Sequence, residues 1–127
     1  MKISLDDNLE QNNRIEAYDT GLFLINGENY THSLIITPKS LVQNWPPLNL
    51  TDLATQHIEQ LIDLEPEIII LGTGTQQLFP SVDILAPVYD AGMGLEIMDT
   101  GAACRSYNLL AAEGRNVAAG LILIQAA

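Results

Sequence analysis

The chain has 127 residues, 47% of them hydrophobic, and carries 16 acidic against 5 basic side chains for a formal net charge of −11. This size and apolar content suit a single globular domain spanning 1–127 that buries a core without disulfides or a structural metal, and they exclude a disordered chain. The acidic balance excludes nucleic acid as a partner, because binding a phosphate backbone rests on cations that neutralise it; the charge serves solubility or a basic partner surface.

In chain order, MKISLDDNLEQNN opens without an apolar stretch of signal-peptide length or an Arg-rich amphipathic pattern, and Asp6, Asp7 and Glu10 read as solvated surface. The next segment reads as β. Ile15, Ala17 and the run Leu22 to Ile25 are short strand candidates. Asn26-Gly27 follows directly and signals a two-residue hairpin turn, since both residues tolerate positive φ. The return strand runs from Tyr30 to Thr37, and Pro38, which has no ladder N–H, stops it. Trp45-Pro46-Pro47 is a stiff connection.

Asn49 or Thr51 then caps a helix reaching about Leu64. At about 100° per residue, Leu50, Leu53, Ala54, Ile58, Leu61 and Leu64 gather on one face. Glu67 to Leu71 is a short apolar run that reads as a strand buried on both faces. Gly72-Thr73-Gly74-Thr75 is the loop at its end. Ser81 to Ala91 reads as a helix that Pro87 kinks or shortens. Leu95 to Met98 is a strand, Asp99-Thr100-Gly101 a turn, and Ala102 to Glu113 a helix with Gly114 as its C-terminal cap. Val117 to Ile124 is the last strand and the longest nearly uniform apolar run, far short of the roughly 20 residues that cross a bilayer. With no spanning segment and one cysteine, the expected location is the cytoplasm. The alternation of helix and strand in the second half predicts an α/β fold with helices covering a mixed, mostly parallel sheet, to which the first part adds an antiparallel hairpin.

If the strands ending at Leu71 and Met98 are parallel, the loops after them share one sheet edge, where open α/β sheets usually hold ligands. Gly72, Thr73, Gly74, Asp99, Thr100, Cys104 and Arg105 then become candidate ligand-binding residues, and the helix after Asp99 points its N–H groups at the same edge, as an anion would require. Against this, the first loop lacks the Lys of a P-loop, and Gln77 stands where a dinucleotide fingerprint needs its third glycine. Two tight turns of small residues would look the same. Cys104 lies in the first turn of its helix, at the border of the apolar face: either a small residue at the core edge or a semi-exposed thiol facing the crevice. Arg105 points away from the core, either solvated or gripping an anion. His32 and His57 have no second His or Cys at ligand spacing, so no metal is expected, and both read as packed or half-buried. There is no Gly-x-Ser-x-Gly elbow and no acid–base pair of carboxylates, so neither a catalytic set nor a cofactor is implied.

The segments EIIILGTGTQQLFP and LEIMDTGAACRSYNLLAAEGRNVAAGLILI resemble a family of small bacterial and archaeal domains of unknown function that also forms the mitochondrial NADH dehydrogenase (complex I) assembly factor 3. INGENYTHSLIITP is similar to that family's N-terminal hairpin. The resemblance implies a three-layer α/β arrangement around a mixed sheet with an extra β layer. It implies no catalytic mechanism, only a role in assembling a membrane enzyme through protein contacts. Two functions stand at this point: a non-catalytic binding or assembly protein, and a small-molecule or anion-binding protein, with or without enzymatic activity, that uses the crevice near Cys104 and Arg105. No heptad pattern addresses the oligomeric state.

Overall fold

A computed structural model describes residues 12–126, so the readings of the first eleven residues, Asp6, Asp7 and Glu10 among them, lie outside the described residues. Strands β1 (Ile15–Asp19), β2 (Leu22–Ile25) and β3 (Glu28–Tyr30) form one antiparallel sheet in that order. Asn26 and Gly27 both take positive φ, 51° and 81°, which closes the β2–β3 hairpin with Ile25 opposite Glu28. The extended segment expected from Tyr30 to Thr37 is broken in two. After β3 the chain leaves this sheet, and β4 (Leu34–Ile36) belongs to a second one. The break is anchored at buried Ser33, whose carbonyl accepts from Trp45 N and whose hydroxyl accepts from Leu123 N, both at 2.9 Å.

The second sheet has the order β5 (Leu41–Val42), β4, β8 (Val117–Leu121), β6 (Ile68–Gly72), β7 (Gly94–Met98). It is mixed: β6 pairs parallel with β7 and β8, whereas β4 pairs antiparallel with β5 and β8. Successive side chains of a strand face opposite sides, and two cores result. Ile70, Leu34, Ile36, Val117, Ala119 and Leu121 join Phe23 and Ile25 of β2 in one core, with Ala103, Cys104 and Tyr107 of helix α3 (Thr100–Ala112). Ile69, Leu71, Ile35 and Ala118 join Trp45, Ile58 and Leu61 in the other, with Leu85 and Val88; these come from helices α1 (Thr55–Ile62) and α2 (Val82–Asp90).

Helix boundaries moved for identifiable reasons. The helix expected to start at Asn49 or Thr51 is split. Asn49 caps only a 3-10 turn, Leu50–Asp52, and Leu53 is extended before α1 begins. The His57 ring takes over at α1, its Nδ1 accepting from Ala54 N at 2.9 Å. α1 stops at Ile62, so Leu64 misses the buried face and is exposed. Pro87 sits inside α2 without ending it. The expected turn Asp99-Thr100-Gly101 is instead the cap and first turn of α3: Asp99 is the N-cap and accepts from Ala102 N at 2.9 Å through Oδ1. The last strand ends at Leu121, three residues before the apolar run does.

Candidate functional site

Because β6 and β7 are parallel neighbours, the turns after Gly72 and Met98 leave the same sheet edge. They meet in direct contact. Gly74 N donates to Thr100 Oγ1 at 2.8 Å, and Thr100 N donates to Gly74 O at 2.9 Å. The Thr100 hydroxyl in turn donates to Ile122 O at 2.6 Å, tying in the end of β8. Thr73 N donates to Met98 O at 2.9 Å, and its hydroxyl lies 2.5 Å from Gln76 O and accepts from Leu78 N at 3.1 Å. Thr73 and Thr100 are both buried. Gly72 lets α3 close over the junction: a Cβ there would stand 3.0 Å from both Ala103 Cβ and Thr100 Oγ1.

The candidate residues are thus brought together, but they bond to one another. Two N–H groups at the start of α3 are spent within the chain, Thr100 N on Gly74 and Ala102 N on Asp99. Cys104 is 1% exposed and faces the core with Tyr107 and Ala103. Burial pushes its thiol up to about 12; the Arg105 cation opposes this and the Asp99 carboxylate adds to it. Of the two readings of Cys104, the packed one matches this placement. A thiol so poor in thiolate is a weak nucleophile at neutral pH.

Arg105 is exposed, as its wheel position requires, but it is not simply solvated: its guanidinium donates to the Tyr18 hydroxyl and lies 6.0 Å from that ring's centroid. The Tyr18 ring covers Gly101, where a Cβ would stand 2.9 Å from a ring carbon. Tyr18 is the residue sequence reasoning missed. It arrives from β1, 87 positions away from Arg105, and no local pattern announces such a contact. Asn108 was also missed: its side chain accepts from Ile15 N and donates to Ile15 O, pinning β1 to α3 like a ladder partner. His57 caps α1 from a buried position, and half-buried His32 lies 3.2 Å from Ser33 O through Nδ1.

Two cavities lie elsewhere. One of about 730 Å³ is lined by Lys39, Leu64, Glu113 and Arg115, and a neighbour of about 710 Å³ by Arg14, Glu16, Asn26 and Leu109. Both border Asn12, the first described residue. Arg115 is committed to Glu67 at 3.0 Å, and this contact and the Asn116 N–H hold the Glu67 carboxyl below its ordinary range.

The surface has a second feature. Leu78, Phe79, Val82 and Tyr89 are 45%, 67%, 75% and 60% exposed, four apolar side chains within twelve residues that stay outside both cores. Val82, Ala86 and Tyr89 have i, i+4, i+7 spacing and therefore share one face of α2.

A mixed sheet with a core on each face, a separate small antiparallel sheet, and a sheet edge closed by its own loops define a small α/β domain of the Mth938-like kind. A Bordetella pertussis protein described as a Mth938-like domain matches with a TM-score of 0.81 and 27% identity, over 98% of this chain and 94% of that one. The chain belongs to the family described as "Protein of unknown function (DUF498/DUF598)", whose model matches residues 15–122. A Bordetella parapertussis protein of known structure is similar at 34% identity and a TM-score of 0.83, over 88% of this chain and 96% of that one. Among curated relatives, the "13 kDa major membrane protein" of Francisella tularensis is 32% identical over 84% of this chain and 88% of its own length. The human "NADH dehydrogenase [ubiquinone] 1 alpha subcomplex assembly factor 3" is 32% identical over 85% of this chain, which spans 59% of that protein's length. Among the described residues, no helix is long and apolar enough to cross a membrane.

Proposed function

We propose that this protein is a non-catalytic binding protein that helps assemble a larger, membrane-associated enzyme, working in the cytoplasm without a cofactor. The observation that carries the reading is the exposed apolar run of Leu78, Phe79, Val82 and Tyr89. Several large apolar side chains left exposed along one short segment mark a place where another molecule docks. The curated relatives named as NADH dehydrogenase assembly factors supply the kind of partner. The sheet shared by both cores supports reading 1–127 as one domain of three layers with the β1–β3 sheet added outside.

The competing crevice reading needs free polar groups at Gly72–Gly74 and Asp99–Arg105. Most of those groups already bond within the chain, and Cys104 faces the core. The test is complementation. A strain lacking the protein is expected to hold less assembled NADH dehydrogenase in its membranes, read by native gel and activity stain. The wild-type chain and Cys104→Ala should restore it; Phe79→Ser with Val82→Ser, both exposed changes, should not. Full rescue by the double variant would refute the reading.

A further inference from the structure

The five basic residues are unevenly placed. From Ser40 to Cys104 the sequence has nine carboxylates and no Lys or Arg. That stretch contains α1, α2, β6 and β7, so the half of the molecule built on Trp45, Ile58, Leu61, Leu85 and Val88 presents anionic side chains without a counter-charge of its own. Among the described residues, the cations Arg14, Lys39, Arg105 and Arg115 come from the segments flanking that stretch.

On α2 the two patterns coincide. With Val82 at zero and about 100° per residue, Tyr89 and Ala86 lie within about 40° of it, and Asp83 and Asp90 follow at about 80–100°. Exposed Val82 and Tyr89, with half-buried Ala86 between them, are thus bordered along one flank by exposed carboxylates. The buried residues Leu85 and Val88, at about 300° and 240°, lie on the other flank of the stripe from the carboxylates. We infer that this face of α2 docks a cationic amphipathic helix of a protein partner, its apolar side on Val82, Ala86 and Tyr89 and its Lys or Arg side chains toward Asp83 and Asp90. The inference rests on the protein-binding reading above and names the chemistry of the partner.

Three observations select this occupant. The i, i+4, i+7 stripe is a ridge of the kind that packs against another helix. Strand addition to the neighbouring open edge of β7 is obstructed, because Gln77 Nε2 donates to Ile97 O at 3.0 Å and occupies an outward carbonyl of that edge. An anionic lipid surface would be repelled by the same carboxylates that attract a basic helix.

The test uses the full chain and two fluorescein-labelled synthetic 18-residue helices with the same leucine face, one otherwise lysine and one otherwise glutamate. Fluorescence anisotropy should show the Leu/Lys helix binding at least tenfold more tightly than the Leu/Glu helix. Val82→Ser with Tyr89→Ser should weaken it fivefold or more, and Asp83→Asn with Asp90→Asn should weaken it and flatten its salt dependence. A distant pair, Glu16→Gln with Asp19→Asn, should leave it unchanged. Equal loss from the distant pair would mean mere charge attraction and overturn the inference; so would indifference to the Val82 and Tyr89 changes, or co-sedimentation with phosphatidylcholine–phosphatidylglycerol vesicles. If peptide binding fails but Phe79→Ser with Val82→Ser still blocks complementation, only the partner's chemistry is wrong. If the peptides behave as expected but that variant complements fully, the assembly reading falls and the docking face stands.

Discussion

Replacing Thr100 by valine tests whether its hydroxyl is the knot of the sheet edge. Valine keeps the shape and removes one oxygen, which now accepts from Gly74 N at 2.8 Å and donates to Ile122 O at 2.6 Å. Thr100 is 0% exposed, so water does not replace the lost partner. Each buried backbone group left unsatisfied costs about 1–3 kcal/mol, giving a loss of about 2–5 kcal/mol for the pair once relaxation is allowed. Against a typical domain stability of about 5–15 kcal/mol this is a large fraction. With a urea dependence of about 2 kcal/mol per molar, the unfolding midpoint should fall by about 1–2.5 M. Thr100→Ser, which keeps the oxygen and loses a methyl group, should cost only about 1 kcal/mol. Circular dichroism during urea titration measures both. Equal stability of the serine and valine variants would refute the assignment.

Gly72→Ala should cost about 1–3 kcal/mol, because the new methyl meets Ala103 Cβ and Thr100 at about 3 Å and α3 must shift outward; urea melting reads the loss, and a stabilised variant would contradict the close contact. Asp99→Ala should cost about 1 kcal/mol through its lost cap on Ala102 N, while Asp99→Asn keeps an accepting oxygen and should lose less. Cys104 should resist a chromogenic disulfide reagent in the native state and react fully in urea, one thiol per chain. Its folded pKa is raised from an ordinary value of 9.0 to about 12 by burial, so between those values the unfolded chain releases a proton that the folded chain keeps. Stability should therefore be unaffected by this thiol below pH 9 and fall above it by about 1.4 kcal/mol per pH unit, more steeply above pH 10, where buried Tyr107, also raised by burial, adds to it. Cys104→Ala should remove the part of the slope that begins near pH 9.

The elements that local periodicity marks were readable. Asn26-Gly27, the apolar run before Gly72, and the stripe that buries Ile58 and Leu61 all lie where pattern put them. What could not be read is decided by partners distant in sequence. Leu34 to Ile36 continue Tyr30 in pattern, but they pair with β8, more than eighty residues on. Asp99-Thr100-Gly101 has turn composition, and those same residue types open helices; only the cap on Ala102 N distinguishes the two. The candidate site was found as a place because its loops follow parallel strands. Whether it was open could not be read, because that depends on the Thr100 hydroxyl reaching Ile122 and on Tyr18 covering Gly101.

These contacts also account for where the apolar run sits. The Thr73 side chain bonds Gln76 O and Leu78 N, so the loop that interlocks with Thr100 also fixes the start of the segment that leads through Phe79 into α2. Thr75 donates to Gln125 O and Gln77 to Ile97 O, so this segment is tied at several points to the same sheet edge. Burying Phe79 or Val82 would be worth about 1.5–3 kcal/mol each, yet the chain spends hydrogen bonds on a path that leaves both in water. A loop tied by hydrogen bonds so that it holds apolar side chains out of the core gives up folding energy and lowers the entropy lost when a partner covers them. The small polar residues at the sheet edge thus have a structural role in this arrangement, and the surface they present lies one loop further along the chain.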